Sequence, residues 1–296
     1  MRVWVTGAAG FVGRYVCRRL REEGDVVLAS DVRADEARGV EPLDIRDAEE
    51  ALAFAVRNRP DACIHLAGVA FVPDAAKNPA ALSAINVDGA VHVAKALLHV
   101  APKGRFLFIS SSQVYGYKRR ESPMFVEDEL RPSSPYASSK VAAEKALQEL
   151  REDYRLNLCI ARPGNHTGPG QSPKFVVPSF IQAVRDVRDG KREAIEVGNL
   201  ESERDFTDVR DVVTAYLLIL REGRPGGIYN ISAGQHMTIG EVLHRITSIM
   251  GVEAPIKVKP EYFRPTDAMP ALNTCHMRGL GWQPRYRFDQ TLHDMI

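Results

Sequence analysis

Apolar residues come first in short runs separated by amphipathic stretches. Residues 2–6 (RVWVT) read as a buried strand. Residues 11–23 place Val12, Val16 and Leu20 at helical spacing and stop near Gly24. A second strand is expected at 25–30. A helix is expected at 48–58, with Asp47 as its N-cap. The pattern continues with a strand at 62–67, a long helix at 79–100, a strand at 105–110, a helix at 136–151 and a strand at 156–162. Strands that alternate with helices imply right-handed crossovers and a parallel sheet covered on both faces.

After residue 162 the alternation breaks up. Residues 163–200 are rich in Pro and Gly. A strand–helix unit is expected at 205–221, a strand at 227–231 and a helix at 239–250, followed by a tail interrupted by prolines. The expected fold class is α/β: a doubly wound parallel sheet of Rossmann type with a smaller, discontinuous C-terminal lobe. Residues 1–162 would form the main domain, with 205–231 returning to it. Residues 163–204 and 232–296 would form the lobe.

Composition narrows the function. The 296 residues carry a formal net charge of +1, which gives no reason to expect nucleic acid or a membrane surface as a partner. The basic run at 185–192 (RDVRDGKR) is interrupted by two aspartates and reads as a solvated helix end. No apolar run looks long enough to span a bilayer, and the first residues do not read as a signal peptide. Cys17, Cys63, Cys159 and Cys275 are scattered, with no CxxC pair. A cytoplasmic, reduced and metal-free protein is expected.

The first turn carries the first chemistry. VTGAAGFVG sets Gly7, Gly10 and Gly13 between a strand and a helix. Gly7 permits a tight turn, Gly10 a close approach of backbone to a pyrophosphate, and Gly13 close packing of helix on strand. Asp31 follows at the end of the second strand. Its carboxylate would accept from both adenosine ribose hydroxyls and repel a 2′-phosphate, so NADH is favoured and NADPH remains possible. Arg33, two residues on, could instead meet a 2′-phosphate. Asp44, in LDIRD, could accept from the adenine amino group or be an ordinary loop acid.

The second piece of chemistry is ISSSQVYG, residues 109–116. Three serines and a glutamine close an apolar strand at its carboxyl end, where parallel sheets bind ligands. SPYASSK sets Tyr136 and Lys140 four residues apart, on one face of a helix. A nearby ammonium favours phenolate, so Lys140 would fit Tyr136 for acid–base work near neutral pH. Ser111 would hydrogen-bond the oxygen that gains or loses the proton.

In this order the glycine turn, HLAG at 65–68, Asn86 in INVDG, Ser111 and YxxxK resemble the extended short-chain dehydrogenase/reductases that act on nucleotide sugars. The resemblance covers essentially the whole chain. It implies a cofactor wall of Gly7, Gly10, Phe11, Val12, Gly13, Asp31, Asp44, Ile45, Leu66 and Ala67, with Tyr136 and Lys140 at the nicotinamide ribose. Asn86 would be a structural or substrate-region residue. It also implies a homodimer formed through a four-helix bundle, built by the helices at 79–100 and 136–151. Family members that dehydrate nucleotide sugars carry a Glu two residues after the catalytic Ser or Thr, which removes the sugar C5 proton. Here that position is Gln113, whose amide is no base. Glu121 or Glu127 would have to replace it.

The segments at 162–180, 197–211 and 264–269 resemble the GDP-4-keto-6-deoxymannose reductase branch. That resemblance implies Asn165 at the sugar–phosphate region, Phe175 and Val176 near the guanine-side entry, Arg204 and Arg264 clamping the pyrophosphate, and Asp267 accepting from the guanosine ribose. Two arginines suit a diphosphate, because each offers a planar fork of donors. After the HLA strand the family often has a small hydroxyl residue, where this chain has GVAFVPDA with Ala70 and Phe71. His166 reads as a structural loop histidine. The expected activity is NAD(P)H-dependent reduction of the C4 ketone of a GDP-4-keto-6-deoxyhexose, with Ser111, Tyr136 and Lys140 catalytic. The product could be of the rhamnose or the 6-deoxytalose type. The alternatives are a nucleotide-sugar 4-epimerase, a GDP-mannose 4,6-dehydratase, or a non-catalytic NAD-binding regulator, which would have no need of Tyr136 and Lys140.

Overall fold

Val3, Trp4 and Val5 are buried on both faces of strand β1 (Arg2–Thr6), as a central parallel strand requires. The Trp4 indole N–H donates to Ser30 Oγ at 2.9 Å, so its one polar atom is paired, and its ring stacks on Phe54. The computed structural model describes residues 1–69, 78–116, 122–263, 269 and 271–296.

From β1 the chain runs through α1 (Phe11–Glu22), β2 (Val26–Asp31), β3 (Val40–Pro42), α2 (Ala48–Asn58) and β4 (Ala62–His65). It continues through α3 (Pro79–Val100), β5 (Arg105–Ile109), α4 (Pro135–Tyr154) and β6 (Asn157–Pro163). With the later strand β10 (Ile228–Ile231), these build one parallel sheet of order β10-β6-β5-β4-β1-β2-β3. The order reverses between β1 and β4, and ligands bind at the carboxyl ends of such a switch point. Asp47 caps α2 as expected, accepting from the N–H groups of Glu49 and Glu50. Helix α4 begins at Pro135 because Ser134 caps it and proline is favoured at the first helical position.

Helix α3 corrects one expectation. It is 22 residues long, and by length and composition it is apolar enough to cross a membrane. In this fold it lies on the sheet, with Ala90, Val93, Ala94 and Leu97 buried against α2 and the sheet. Its turn at Ala84–Asp88 is π-helical, a local widening often found at functional sites.

The stretch at 163–200 is more regular than its prolines suggest. It holds β7 (Asn165–Thr167), α5 (Val176–Arg188) and β8 (Ile195–Val197). In α5, Val177, Phe180, Ile181 and Val184 form one buried stripe, and Pro178 falls in the first turn, where no N–H is missed. The segment expected to return to the main sheet is split. Its strand β9 (Glu203–Asp208) pairs with β7 and with β11 (His236–Thr238) in a second sheet. Helix α6 (Val209–Glu222) packs on the main sheet beside α1, and β10 joins that sheet's edge. Helix α7 (Ile239–Met250) carries a full capping box between Thr238 and Glu241 and packs on α5. Strand β12 (Ile256–Val258) pairs with β8. In the tail, α8 (Cys275–Gly279) brings Met277 into the main core with Trp282, whose N–H donates to the Asp211 carbonyl. Helix α9 (Phe288–Met295) closes the lobe core with Phe288 and Leu292.

Candidate active site

One cavity of about 1170 Å³ runs from the first turn, past the ends of β4 and β5, to the lobe. Its first wall is the glycine turn. Gly7 adopts φ +68°, and a Cβ there would meet the Ala67 nitrogen at 2.7 Å. A Cβ on Gly13 would lie 2.3 Å from the Gly7 carbonyl oxygen, so the helix presses directly on the turn. Gly10 is the N-cap of α1 and has no side chain to occupy the first-turn N–H groups. These features fit a dinucleotide pyrophosphate at the helix N-terminus. Phe11, Val12, Ile45, Leu66 and Ala67 line the same end of the cavity.

Asp31 also lines it, and its carboxylate accepts from the N–H groups of Ala9 (3.2 Å) and Arg33 (3.1 Å). Asp44 is gripped by the Arg46 guanidinium at 2.9–3.0 Å from Nε, which holds its carboxyl below the usual range. Arg33 and Arg46 both line the cavity, and sequence reasoning had not singled out Arg46.

At the end of β5 the serines divide their work. Ser110 donates to Glu144 Oε1 at 2.5 Å inside the protein. Ser111 lines the cavity and caps a short 3₁₀ turn, its Oγ accepting from the Gln113 N–H at 3.2 Å. That arrangement leaves the Ser111 hydroxyl able to donate to a ligand. Tyr136, Lys140 and Gln113 line the same stretch. Lys140 donates to the Ile109 carbonyl at 2.8 Å and lies over the Phe108 ring. Burial pulls its pKa down to about 8, and the Glu144 carboxylate one turn along α4 opposes the fall. Burial, and then the Lys140 charge, hold His65 neutral, with a pKa of about 3.

Two buried networks hold this centre. Glu144 pairs with Arg162 through both carboxylate oxygens, at 2.6 and 3.0 Å, and Arg162 also donates to Tyr115 and to the Val126 carbonyl. Asn86, in the π turn of α3, accepts from the Val69 N–H at 2.8 Å and donates to Ser139 at 2.9 Å. It therefore ties the loop after β4 to the helix carrying Tyr136 and Lys140, which is a positioning role. Gly68 leaves room for this tie, since a Cβ there would stand 3.0 Å from Asn86 Oδ1.

The far wall comes from the lobe. Asn165, Phe175, Val176 and Arg204 line it, together with His166, whose Nδ1 lies 3.1 Å from the Gly164 carbonyl. Arg192, Glu196, Asn199 and Tyr262 join them; none was singled out from the sequence, although Asn199 falls in the segment 197–211 that carries the resemblance. The run at 185–192 is solvated as expected: Arg188 and Lys191 pair with Asp189 at the surface, and Arg192, also exposed, lines the cavity rim as well. Arg264 and Asp267 lie outside the described residues, as do Ala70, Phe71 and Glu121. Glu127 is exposed and does not line the cavity. Among the described lining residues the carboxylates are Asp31, Asp44 and Glu196, at the two ends and none beside Ser111.

The family described as NAD dependent epimerase/dehydratase matches residues 3–232. GDP-6-deoxy-D-mannose reductase of Pseudomonas aeruginosa is 34% identical across all of this chain and 96% of its own length. The structure of RMD from Pseudomonas aeruginosa complexed with NADPH superposes with a TM-score of 0.88 at 32% identity, covering 99% of this chain and 96% of that one. A dTDP-D-glucose 4,6-dehydratase of Homo sapiens is 28% identical across all of this chain and 89% of its length. The glycine turn at a sheet switch point, the residues gathered beyond it and these full-length likenesses agree, and the chain belongs to the NAD dependent epimerase/dehydratase family.

Proposed function

We propose that this chain reduces the C4 ketone of a GDP-4-keto-6-deoxyhexose to the corresponding GDP-6-deoxyhexose, using NADH or NADPH. The observation that carries the reading is the chemistry around Ser111. Tyr136 and Lys140 line that stretch of the cavity with Gln113, and no described lining carboxylate stands there to remove a carbon-bound proton. The full-length likeness to a GDP-6-deoxy-D-mannose reductase supports the choice of substrate.

The bound nicotinamide supplies the hydride. The protein moves the proton and holds the ketone. Ser111 donates a hydrogen bond to the C4 oxygen, and Tyr136 gives that oxygen its proton as charge develops. The Lys140 ammonium favours the phenolate left behind. Asn86 and the Glu144–Arg162 pair fix the geometry from outside. Gly7, Gly10, Phe11, Val12 and Gly13 would hold the cofactor diphosphate. Asp31, Asp44 and Ile45 would hold the adenosine, and Leu66, Ala67, Tyr136 and Lys140 the nicotinamide side. Asp31 favours NADH. Arg204 would meet the substrate diphosphate with Arg264, Asp267 the guanosine ribose, Asn165 the sugar–phosphate region, and Phe175 and Val176 the nucleoside entry.

A homodimer through α3 and α4 is part of this reading, supported by the partly buried apolar residues Val87, Val91 and Leu98 along α3. So is a cytoplasmic setting, supported by the unpaired thiols of Cys17, Cys63 and Cys159.

Incubation with GDP-4-keto-6-deoxymannose and each reduced cofactor tests the function. Loss of the reduced nicotinamide absorbance, with NMR of the sugar, should show stoichiometric reduction at C4. Interconversion of C4 epimers without net cofactor oxidation would make the protein an epimerase. Formation of the 4-keto product from GDP-mannose would make it a dehydratase.

A further inference from the structure

We propose that Glu196 reads the base of the nucleotide sugar and selects guanine. The inference rests on the reading that the lobe end of the cavity takes the nucleotide. Glu196 is the middle residue of β8. Its neighbours Ile195 and Val197 are fully buried in the lobe core, and strand alternation turns Glu196 to the opposite side, where it lines the cavity. Among the described lining residues it is the one carboxylate away from the glycine-turn end.

The strand is well fixed. β8 pairs in parallel with β12, and Gly198 lets the turn at Pro260–Tyr262 approach so closely that a Cβ there would lie 2.4 Å from the Tyr262 carbonyl oxygen. The carboxylate itself is held from two sides. Lys259 Nζ is 3.3 Å from Oε1, and the Tyr262 hydroxyl donates to Oε2 at 3.3 Å. Lys259 keeps the carboxyl below its usual range, so it is ionised at neutral pH. An ionised carboxylate has about four acceptor sites, and these contacts use two.

Guanine presents two adjacent donors, N1–H and the 2-amino group, which a single carboxylate can accept side by side. Uracil and thymine present one N–H between two carbonyl oxygens, and those oxygens would face the carboxylate's own. Adenine has an acceptor nitrogen where guanine has N1–H. Arg192, on the same wall and anchored to Asp186 at 3.3 Å, supplies a cation for the guanine O6. A carboxylate on this wall therefore favours guanine over the other bases.

The test is calorimetric titration of GDP, IDP, UDP and dTDP into the full-length protein and into Glu196→Gln, with NADH titration as the control for intact folding. Wild type should bind GDP best, IDP more weakly because it lacks the 2-amino group, and UDP and dTDP weakest. Glu196→Gln should lose roughly 10- to 100-fold in GDP affinity, the loss of one or two charge-assisted hydrogen bonds, with GDP falling toward IDP and UDP little changed. NADH affinity should stay at the wild-type value. A variant that keeps the wild-type order and spread of affinities overturns the role of Glu196 while leaving the GDP-sugar reading intact. A wild type that prefers UDP or dTDP to GDP overturns the GDP reading itself, and the guanine assignment with it.

Discussion

The two ends of the cavity are built on different physical terms. Around the ends of β4 and β5 the side chains proposed to react are almost fully enclosed: Ser111, Tyr136 and Lys140 are 8%, 7% and 5% exposed. They stand on strands and helices whose backbones are locked by the sheet ladder and by the Glu144–Arg162 pair. At the lobe end, the side chains of Arg192 and Glu196 are 52% and 37% exposed, and both also pair with their neighbours. Water is largely excluded at the first end, so losing one group there leaves a charge or dipole unanswered. At the second, water and salt replace much of what a lost side chain gave. Substitutions at the enclosed end should therefore act on the rate and on the fold. Those at the open end should act on affinity.

The largest effect should come from Tyr136→Phe. Removing the proton donor should lower turnover by about 10²–10⁴, the usual contribution of a general acid, with NADH affinity unchanged. Steady-state rates and NADH titration on the same preparation check this. A variant with wild-type turnover would take Tyr136 out of the chemistry. Next comes Glu144→Gln, which leaves Arg162 charged and poorly answered inside the protein. It should cost about 3–5 kcal/mol of stability, read by denaturant melts. A loss below 1 kcal/mol would mean that the pair is not sealed from water as the geometry describes.

Lys140 sharpens the comparison through pH. Its pKa falls from 10.5 to about 8 because burial disfavours the ammonium. Above pH 8 the folded protein loses this proton while the unfolded chain keeps it until about 10.5. The cost that burying this charge places on stability is therefore present in full below pH 8 and is relieved as pH rises across that window. Turnover should move the other way, falling as pH rises through 8, because the charge that supports the Tyr136 phenolate disappears. A pH–rate profile measured beside a pH–stability profile should show the two diverging. A rate that stays flat to pH 9.5 would show that the Lys140 charge is not used.

The enclosed end was also the more legible in the sequence, for a physical reason. Its signals are local: glycines at fixed offsets between a strand and a helix, a Tyr and a Lys one turn apart, and a serine at a strand's end. Each is dictated by backbone geometry within a few residues. The open end is assembled from β8, the turn at Pro260–Tyr262 and the entry to α5, which meet only in the folded chain. Glu196 and Tyr262 each fall just before a segment that carries the resemblance, at 197–211 and 264–269, without a local signal of their own, and Arg192 closes a charge run that looks wholly solvated. Helix α5 is hidden in the same way, because Pro173 and Pro178 at its entry mask the apolar stripe from Val177 to Val184. The π turn at Asn86 leaves no mark on the apolar periodicity at all.

At the open end, Arg204→Ala should weaken GDP binding by about 1.5–3 kcal/mol if it removes a charge-assisted hydrogen bond to phosphate. NADH binding should hardly change. Repeating the titration in rising salt adds a second readout: the wild-type advantage should shrink as exposed charges are screened. Equal losses for GDP and NADH would point to a damaged fold, and no loss of GDP affinity would make Arg204 a surface charge.

The smallest effect should be at Asp31, where the two terms of the comparison meet. Its carboxylate is half-buried and already accepts from the backbone of Ala9 and Arg33, so it is held in place by the enclosed end. Arg33 and Arg46 beside it are exposed and face the same cavity. The fixed acid opposes a 2′-phosphate, and the two exposed, screened arginines attract one. The fixed charge should prevail, giving a preference for NADH of roughly tenfold, about 1.4 kcal/mol. Asp31→Ala should erase or reverse that preference mainly by improving NADPH, and the change should be larger at low salt, where the arginines act unscreened. Comparing kcat/KM for both cofactors in the wild type and the variant decides it. A wild type that strongly prefers NADPH would show that Arg33 and Arg46 outweigh the acid, and Arg33→Ala would then be the substitution that restores NADH.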